Sequence, residues 1–278
     1  FGIVLVIDRL TGLMLTLTAV VGLAVFINSL AYWDRVGPHF HALLQLLLMG
    51  VNGAFLTGDL FNLFVFFEVL LAASYGLLLH GSNSQRVKMG LHYIVVNLVG
   101  SLLFLIGVSL IYGVTGTLNM ADLPARAAVL SDADRALFDA AAAVLGIAFL
   151  TKAGCWPLNF WLPGTYAAAS PPVAAAFAIL TKVGVYAIIR TETQLFADND
   201  VNMLLMVIAL ATMIVGVLGA VAQMAALYFV VMLGLGGYWL ALAANSTRLT
   251  DPTGWARRIF GFSIVLVLAL NLALAVLR

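Results

Sequence analysis

Long apolar runs, separated by short polar or glycine- and proline-containing turns, fill most of this chain. A run of about 17–25 apolar residues is long enough for an α-helix to cross a bilayer. The pattern predicts eight such spans and a candidate ninth, so we expect an all-α polytopic bundle of transmembrane helices. The predicted spans are residues 10–32, 41–56, 60–79, 91–112, 140–155, 171–190, 201–222 and 224–244, and the candidate ninth is 259–277.

The fifth span is short and stops at Gly154-Cys155-Trp156-Pro157. The stretch that follows, residues 158–169, contains Pro163 and Gly164 but no charged residue. An uncharged, proline-interrupted stretch between two spans is typical of a broken or re-entrant helix. We therefore predict a broken helix near residues 152–165.

The polar links between spans predict further local structure. Thr57-Gly58-Asp59 predicts a tight reversal, in which Asp59 caps the next helix. Residues 81–88 predict a basic loop that carries Arg86 and Lys88. Residues 115–139 predict an acidic surface segment with a short amphipathic helix that starts at Asn119.

Loop charge predicts the orientation of the bundle, because cytoplasmic loops carry an excess of lysine and arginine. We assign Arg35, Arg86 and Lys88 to the cytoplasmic side and the acidic 115–139 segment to the opposite side. The assignment is consistent up to residue 222. Beyond it, Arg248, Arg257 and Arg258 fall on the outer side if the predicted spans 201–222 and 224–244 are consecutive.

The composition determines the class of protein. Hydrophobic residues make up 64% of the 278 residues and charged residues 9%, and the mean hydropathy is +1.11. A soluble globule needs more polar surface than that, so we expect an integral multi-pass membrane protein. The net charge of +1, carried by scattered lysines and arginines, gives no sign of a nucleic-acid partner. The chain begins at Phe1 without a basic leader, so we expect a piece of a longer protein.

A carboxylate, Glu68, lies near the middle of the third predicted span. A charged side chain at that depth costs about 2.5–3.5 kcal/mol on insertion scales, so a partner, water or a proton-dependent role must offset it. Two lysines are candidate partners, Lys152 beside the helix break and Lys182 near the middle of the sixth span. Both occur in the same Thr-Lys-x-Gly pattern, at residues 151–154 and 181–184.

These residues allow two interpretations. Glu68 and one lysine could form a buried structural ion pair. Alternatively, the three residues form a proton relay, since ionisable residues inside membranes usually mark ion paths or proton relays. A desolvated lysine releases its proton more easily and a nearby carboxylate holds it, so a change at the carboxylate can load or unload the lysine. His92, at the start of the fourth span, is a further relay candidate, although an interfacial structural role is more common.

Other chemistry has no support in the sequence. There is no phosphate-binding glycine loop, no Cys/His cluster with metal-ligand spacing and no Ser-His-Asp signature. We therefore predict no catalytic residue, no cofactor and no metal site.

Three segments together resemble a known family. They are residues 56–69 with Ser74-Tyr75, residues 152–163 and residues 181–186. The resemblance is to the proton-translocating subunit family that Mrp-type cation/proton antiporters share with respiratory complex I. The segment around Glu68 and residues 112–123 are most similar to the D subunit of Mrp (Pha) antiporters. The resemblance covers residues 1–223.

The resemblance implies about fourteen helices with two inverted five-helix repeats, each containing a broken helix, and a midplane chain of protonatable residues. By position, Glu68 matches the family's glutamate, Lys152 its lysine beside the first broken helix, and Lys182 the lysine on the next helix. The first two family helices and much of the second repeat are missing here. We accordingly expect an antiporter-like domain at residues 1–223 and helices of unclear correspondence at 224–278.

The resemblance leads to one main functional hypothesis and two alternatives. The main hypothesis is the proton-translocating subunit of a multisubunit Na⁺(K⁺)/H⁺ antiporter in the cell inner (plasma) membrane. Its partners would be other membrane subunits, protons, Na⁺ or K⁺ and the lipid bilayer, and it would be a secondary transporter subunit rather than an enzyme. One alternative is the corresponding subunit of NADH:quinone oxidoreductase or a related hydrogenase complex. The other is a non-transporting membrane scaffold with structural buried charges.

Overall fold

The computed structural model of the chain describes residues 4–31, 33–37, 39–81, 83–194 and 202–223. Within these ranges the chain is almost entirely helical. The helices are α1 Arg9–Ser29, a 3-10 helix Trp33–Arg35, α2 Phe40–Leu56, α3 Leu60–Leu79, α4 Ser84–Thr115, α5 Leu123–Ala127, α6 Asp132–Ala153, α7 Leu162–Ala168, α8 Pro171–Gln194 and α9 Asn202–Gln223. The predicted second domain 224–278, with its two predicted spans, lies outside the described residues.

The all-α membrane fold is confirmed. Five described helices, α1, α3, α4, α6 and α8, are long and apolar enough to cross a membrane, and α2 and part of α9 are shorter apolar helices. Residues up to Leu205 belong to one compact unit, in which α2 packs on α3, α4 on α6, and α8 on both α1 and α6. The part of α9 from Met206 onward belongs to a second unit.

Two predicted helix starts were wrong because the helices extend beyond their apolar cores. Helix α4 begins at Ser84, so Arg86 and Lys88 lie in its first turns and not in a loop; Asn83 caps it by accepting a hydrogen bond from the Arg86 amide at 2.8 Å. Helix α6 begins at Asp132, eight residues before the predicted start at 140, and Ser131 caps it. Hydropathy detects only the apolar part of a helix, whereas caps determine where it starts.

The predicted reversal at residues 57–59 is confirmed, and two other segments hold it in place. Asp59 caps α3 by accepting a hydrogen bond from the Asn62 amide at 2.9 Å. On one side, the Gly58 amide donates to the Val4 carbonyl at 2.9 Å. On the other, the Leu60 amide donates to the Leu118 carbonyl at 3.0 Å.

The short helix in the 115–139 link was predicted to start at Asn119, which was wrong. Asn119 forms a bridge with Asp59, and α5 begins only at Leu123, with Pro124 in its first turn. Backbone pairing with the reversal therefore takes up the first part of the link. Proline suits the first turn of a helix, where its missing amide costs no hydrogen bond.

Arg35 and Arg86 lie at the same end of the bundle, as their assignment to one side requires. The Arg86 guanidinium lies 5.7 Å from the ring centroid of Trp33, in the same 3-10 helix as Arg35. It also donates to the His80 carbonyl at 2.9 Å, at the end of α3. That this end faces the cytoplasm stays a prediction.

Candidate functional site

The predicted helix break is confirmed, and it places Lys152 in the last turn of α6. Gly154 has a φ of 66°, a left-handed conformation that glycine adopts without strain and that ends many helices. Beyond it, the Cys155 amide donates to the Leu150 carbonyl at 3.0 Å. The Trp161 ring nitrogen donates to the Thr151 carbonyl at 3.1 Å, so the segment after the break folds back onto the helix end.

Glu68 and Lys152 are connected through one hydroxyl group, that of Ser101 on α4. The Lys152 Nζ donates to Ser101 Oγ at 3.0 Å, and Ser101 Oγ donates to Glu68 Oε1. Lys152 is 4% exposed and Ser101 3% exposed, so the contact between them is buried, whereas Glu68 is half-buried. Glu68, Ser101 and Lys152 come from α3, α4 and α6, so the three helices meet at this bridge.

A direct ion pair between Glu68 and Lys152 is absent. In the described part of the chain, charge pairs within 4 Å join Arg126 to Asp122, Arg135 to Asp139 and Arg190 to Asp8. The sequence predicted a lysine partner for Glu68, and the structure adds a neutral group between the two charges.

Aromatic rings form one wall of the bridge. The Lys152 Nζ lies 5.1 Å from the ring centroid of Phe67, a distance typical of a cation–π contact. Phe67 packs against Phe104 at 5.8 Å between ring centroids, and Phe104 packs against Phe149 at 5.0 Å. All three phenylalanines are at most 1% exposed. This wall excludes water from one side of Lys152. The interactions of its ammonium group with Ser101 and Glu68 are therefore stronger than they would be in water.

Lys182 is close to the break but does not join the bridge. It is partly buried on α8 and interacts electrostatically with Cys155, just after α6 ends. Among the described residues, it makes no hydrogen bond to Glu68, Ser101 or Lys152.

The two Thr-Lys-x-Gly motifs pack against each other. A Cβ atom added to Gly184 would lie 2.5 Å from the Ala153 nitrogen and 2.9 Å from the Lys152 carbonyl carbon. Only a glycine allows the backbones of α6 and α8 to approach so closely. The glycine of the first motif thus ends a helix, and that of the second lets the next helix pack against this end.

The structure does not bring His92 to the bridge. His92 is exposed on α4, and its ring lies 5.9 Å from that of Phe160 in the segment after the break. Within the described part of the chain, His92 makes no hydrogen bond. Its role in a relay stays a prediction.

Ser101 is the site residue that sequence reasoning missed. Its neighbour Gly100 has room for a side chain, since a Cβ added there would lie 3.6 Å from Thr151 Cγ2, an ordinary contact distance. Nothing in the pattern shows that the next residue faces Glu68, because that depends on how α3 and α4 are aligned. A hydroxyl within an apolar span was the available signal.

A second polar cluster, also missed, joins α1, α2 and α8. Arg190 is 5% exposed, forms an ion pair with Asp8, and donates to Tyr186 Oη and Thr11 Oγ1, each at 3.1 Å. Tyr186 Oη donates to the Phe55 carbonyl at 2.8 Å. Partial burial raises the pKa of Asp8, but the Thr11 amide and Arg190 together lower it by more, so this pKa lies below its usual value.

Comparison with known proteins identifies the family. The sequence profile of the family described as NADH:quinone oxidoreductase/Mrp antiporter, TM, matches residues 57–228. This chain belongs to that family. The match covers the reversal before α3, the Glu68–Ser101–Lys152 bridge, the break and both Thr-Lys-x-Gly motifs.

Relatives of known name are similar over most of the chain. The chain is 65% identical over 196 residues to the D subunit of a probable K⁺/H⁺ antiporter from Rhizobium meliloti, covering 70% of this chain and 36% of that protein. It is 44% identical over 228 residues to the D subunit of a Na⁺/H⁺ antiporter from Alkalihalophilus pseudofirmus, covering 80% of this chain and 46% of that protein. The chain thus spans less than half the length of these two relatives.

A solved structure shows the same fold. A chain of the Mrp complex from Dietzia sp. superposes with a TM-score of 0.81 and 36% sequence identity. The superposition covers 97% of this chain and 51% of that chain.

Proposed function

We propose that this chain is the proton-translocating part of a membrane subunit in a multisubunit Na⁺(K⁺)/H⁺ antiporter. The observation that carries the proposal is the bridge from the buried Lys152 through the buried Ser101 to the half-buried Glu68, beside the break in α6. Membrane proteins retain such costly groups mainly where ions or protons move. Membership of the family and the names of the relatives support the same function.

In the proposed mechanism, Glu68 controls how strongly Lys152 holds its proton, and Lys152 exchanges protons with Lys182. The contact between the two Thr-Lys-x-Gly motifs supports this order, because it places Lys152 and Lys182 on backbones that touch at Gly184. In this mechanism, water that enters at the break carries the proton between the two lysines. His92, at an exposed position, is a candidate for proton exchange with the surroundings.

The proposal extends to partners and location. The chain acts as a secondary transporter subunit and not as an enzyme, together with other membrane subunits, in the bacterial plasma membrane. The proposed domain division is an antiporter-like domain at residues 1–223, followed by C-terminal transmembrane helices of unclear correspondence at 224–278. The protein from Dietzia sp. that superposes on this chain is described as part of a complex, which supports the assembly.

Cation-dependent proton movement in everted membrane vesicles tests the proposal. Glu68→Ala and Lys182→Ala are expected to abolish antiport while the complex still assembles. Lys88→Ala is the matched control, because Lys88 is an exposed lysine in the first turns of α4 and should be dispensable. Full antiport in both Glu68→Ala and Lys182→Ala would leave only a structural role for these charges.

A second candidate is the equivalent subunit of a redox-driven complex, which the family description also names. The two functions use the same relay and differ in the subunits around it. Identification of the proteins that co-purify with the chain separates them: iron–sulfur or flavin subunits indicate the redox complex, and further small membrane subunits indicate the antiporter.

A further inference from the structure

The hydroxyl of Ser101 does not make the hydrogen bond usual for a hydroxyl in a helix. Serine and threonine in helices usually donate to the carbonyl four residues earlier. Ser109 does so on the same helix, donating to Leu105 at 2.7 Å, as do Thr115 to Ile111 at 2.7 Å and Thr151 to Ile147 at 2.8 Å. Ser101 instead donates across the helix interface to Glu68.

The bridge is directional. A hydroxyl has one proton to donate and two lone pairs that accept. Ser101 uses its proton for Glu68 and one lone pair for Lys152, so each hydrogen bond points from the lysine toward the carboxylate. Within the described residues, no other group hydrogen-bonds to this hydroxyl.

We propose that Ser101 carries the proton between Lys152 and Glu68. One Nζ–H bond of Lys152 breaks as that proton bonds to Ser101 Oγ, and the original Oγ–H bond breaks as its proton bonds to Glu68 Oε1. The products are a neutral amine, an unchanged hydroxyl and a neutral carboxylic acid. The reverse shift restores both charges, and no oxidant or reductant takes part.

Burial supports a transfer of this kind. The Lys152 ammonium is 4% exposed and has lost most of its solvation, and a shift that neutralises it removes that cost. The charged and neutral states therefore become closer in free energy than they would be in water, as a reversible relay requires. The inference rests on the proposed function, since it names the route by which Glu68 controls Lys152.

A pair of isosteric variants tests the role of the hydroxyl. Ser101→Thr keeps the hydroxyl, whereas Ser101→Val replaces it with a methyl group in a side chain of the same shape as threonine. We expect the threonine variant to support antiport and the valine variant to lower its rate by about a hundredfold, the lower end of what a positioned proton-transfer group contributes. If the larger threonine and valine side chains prevent assembly, Ser101→Ala is used instead, because it removes the hydroxyl without adding volume. Ser109→Val, eight residues later on the exposed face of α4, should retain the wild-type rate.

The outcomes separate this inference from the proposed function. Loss in Ser101→Val with rescue in Ser101→Thr, in assembled complexes, supports the relay. A wild-type rate in Ser101→Val or Ser101→Ala, while Glu68→Ala abolishes antiport, overturns the role of Ser101 and leaves the proposed function intact. If Glu68→Ala and Lys182→Ala also retain antiport, both proposals fail. A slower rate in D₂O for the wild type, but not for the residual activity of Ser101→Val, would further distinguish proton transfer from mechanical support.

Discussion

At the residue scale, the two buried basic side chains Arg190 and Lys152 reach their carboxylate partners in different ways. Arg190 contacts the carboxylate of Asp8 directly and is surrounded by hydroxyl groups. Lys152 reaches its carboxylate only through a hydroxyl and lies over an aromatic ring. A fully paired arginine keeps its proton and suits a fixed contact, whereas a lysine can release one. The Arg190 cluster thus has the properties of a structural contact, and the Lys152 bridge those of a relay.

The Asp8–Arg190 pair predicts a pH-dependent stability. The folded state lowers the pKa of Asp8, so its contribution is complete above the ordinary aspartate value of about 3.9 and is lost as the pH falls through the lower, folded-state value. Asp8→Asn retains a side-chain oxygen for the Thr11 amide but loses the charge. We expect a lower Tm than wild type at pH 7 and a shrinking difference under acid conditions, measured by thermal unfolding in detergent.

Asp122→Asn is the control for this prediction. Asp122 and Arg126 form a surface pair at 3.4 Å, with both side chains about half exposed. Exposed pairs contribute about 0–1 kcal/mol, so little change in Tm is expected at any pH. A difference between Asp8→Asn and wild type that stays constant from neutral to acid pH would show that the charge of Asp8 is not what stabilises the cluster.

The sequence was informative about individual charges and uninformative about neutral polar residues. Glu68, Lys152 and Lys182 could be selected because a charge in an apolar span is costly and therefore conspicuous. The neutral hydroxyl groups of Ser101 and Thr11 cost little free energy in an apolar helix, so they do not stand out in the sequence. Their hydrogen-bond partners also lie on other helices. Asp8 and Arg190 are 182 residues apart and at the ends of spans, where a charge needs no special explanation.

At the element scale, the contact between the end of α6 and the middle of α8 holds the two lysine-bearing segments together. The spans and the break were predictable, since the length of an apolar run and the positions of proline and glycine are local features of the sequence. The starts of α4 and α6 were not, because Asn83 and Ser131 cap them outside the apolar core. The use of Gly184 as a contact surface depends on the packing of two helices and could not be predicted from the repeated motif.

Gly184→Ala tests that contact. The added methyl group would lie 2.5 Å from a backbone nitrogen of α6, which cannot move aside as a side chain can. Overpacking of this kind costs about 1–3 kcal/mol, so we expect a lower Tm together with reduced antiport.

Gly146→Ala is the matched control on α6, because no atom lies within 4 Å of a Cβ added there. Replacing an unconstrained helical glycine by alanine gains up to about 1 kcal/mol, so its Tm should be unchanged or higher. Equal Tm values for Gly184→Ala and Gly146→Ala would contradict the proposed role of the α6–α8 contact.

At the scale of the whole molecule, α8 connects the two polar clusters. Its middle packs against the end of α6 through Gly184, and its C-terminal part binds α1 through Arg190. The bridge joins α3, α4 and α6, and the Arg190 cluster joins α1, α2 and α8. Composition and apolar patterning were enough to predict the all-α membrane class, and the motifs were enough to predict the family. The helix alignment that creates both clusters required the structure.

The most direct test of the central claim is the antiport rate of Lys152→Arg in assembled complexes. Arginine preserves the positive charge but keeps its proton at physiological pH, so it can serve a structural pair and cannot serve a relay. Lys88→Arg, at an exposed site, is the control for the effect of replacing a lysine by an arginine. The relay account predicts that Lys152→Arg loses antiport while Lys88→Arg retains it. Wild-type antiport in Lys152→Arg would show that the lysine supplies only a charge, and would contradict the account.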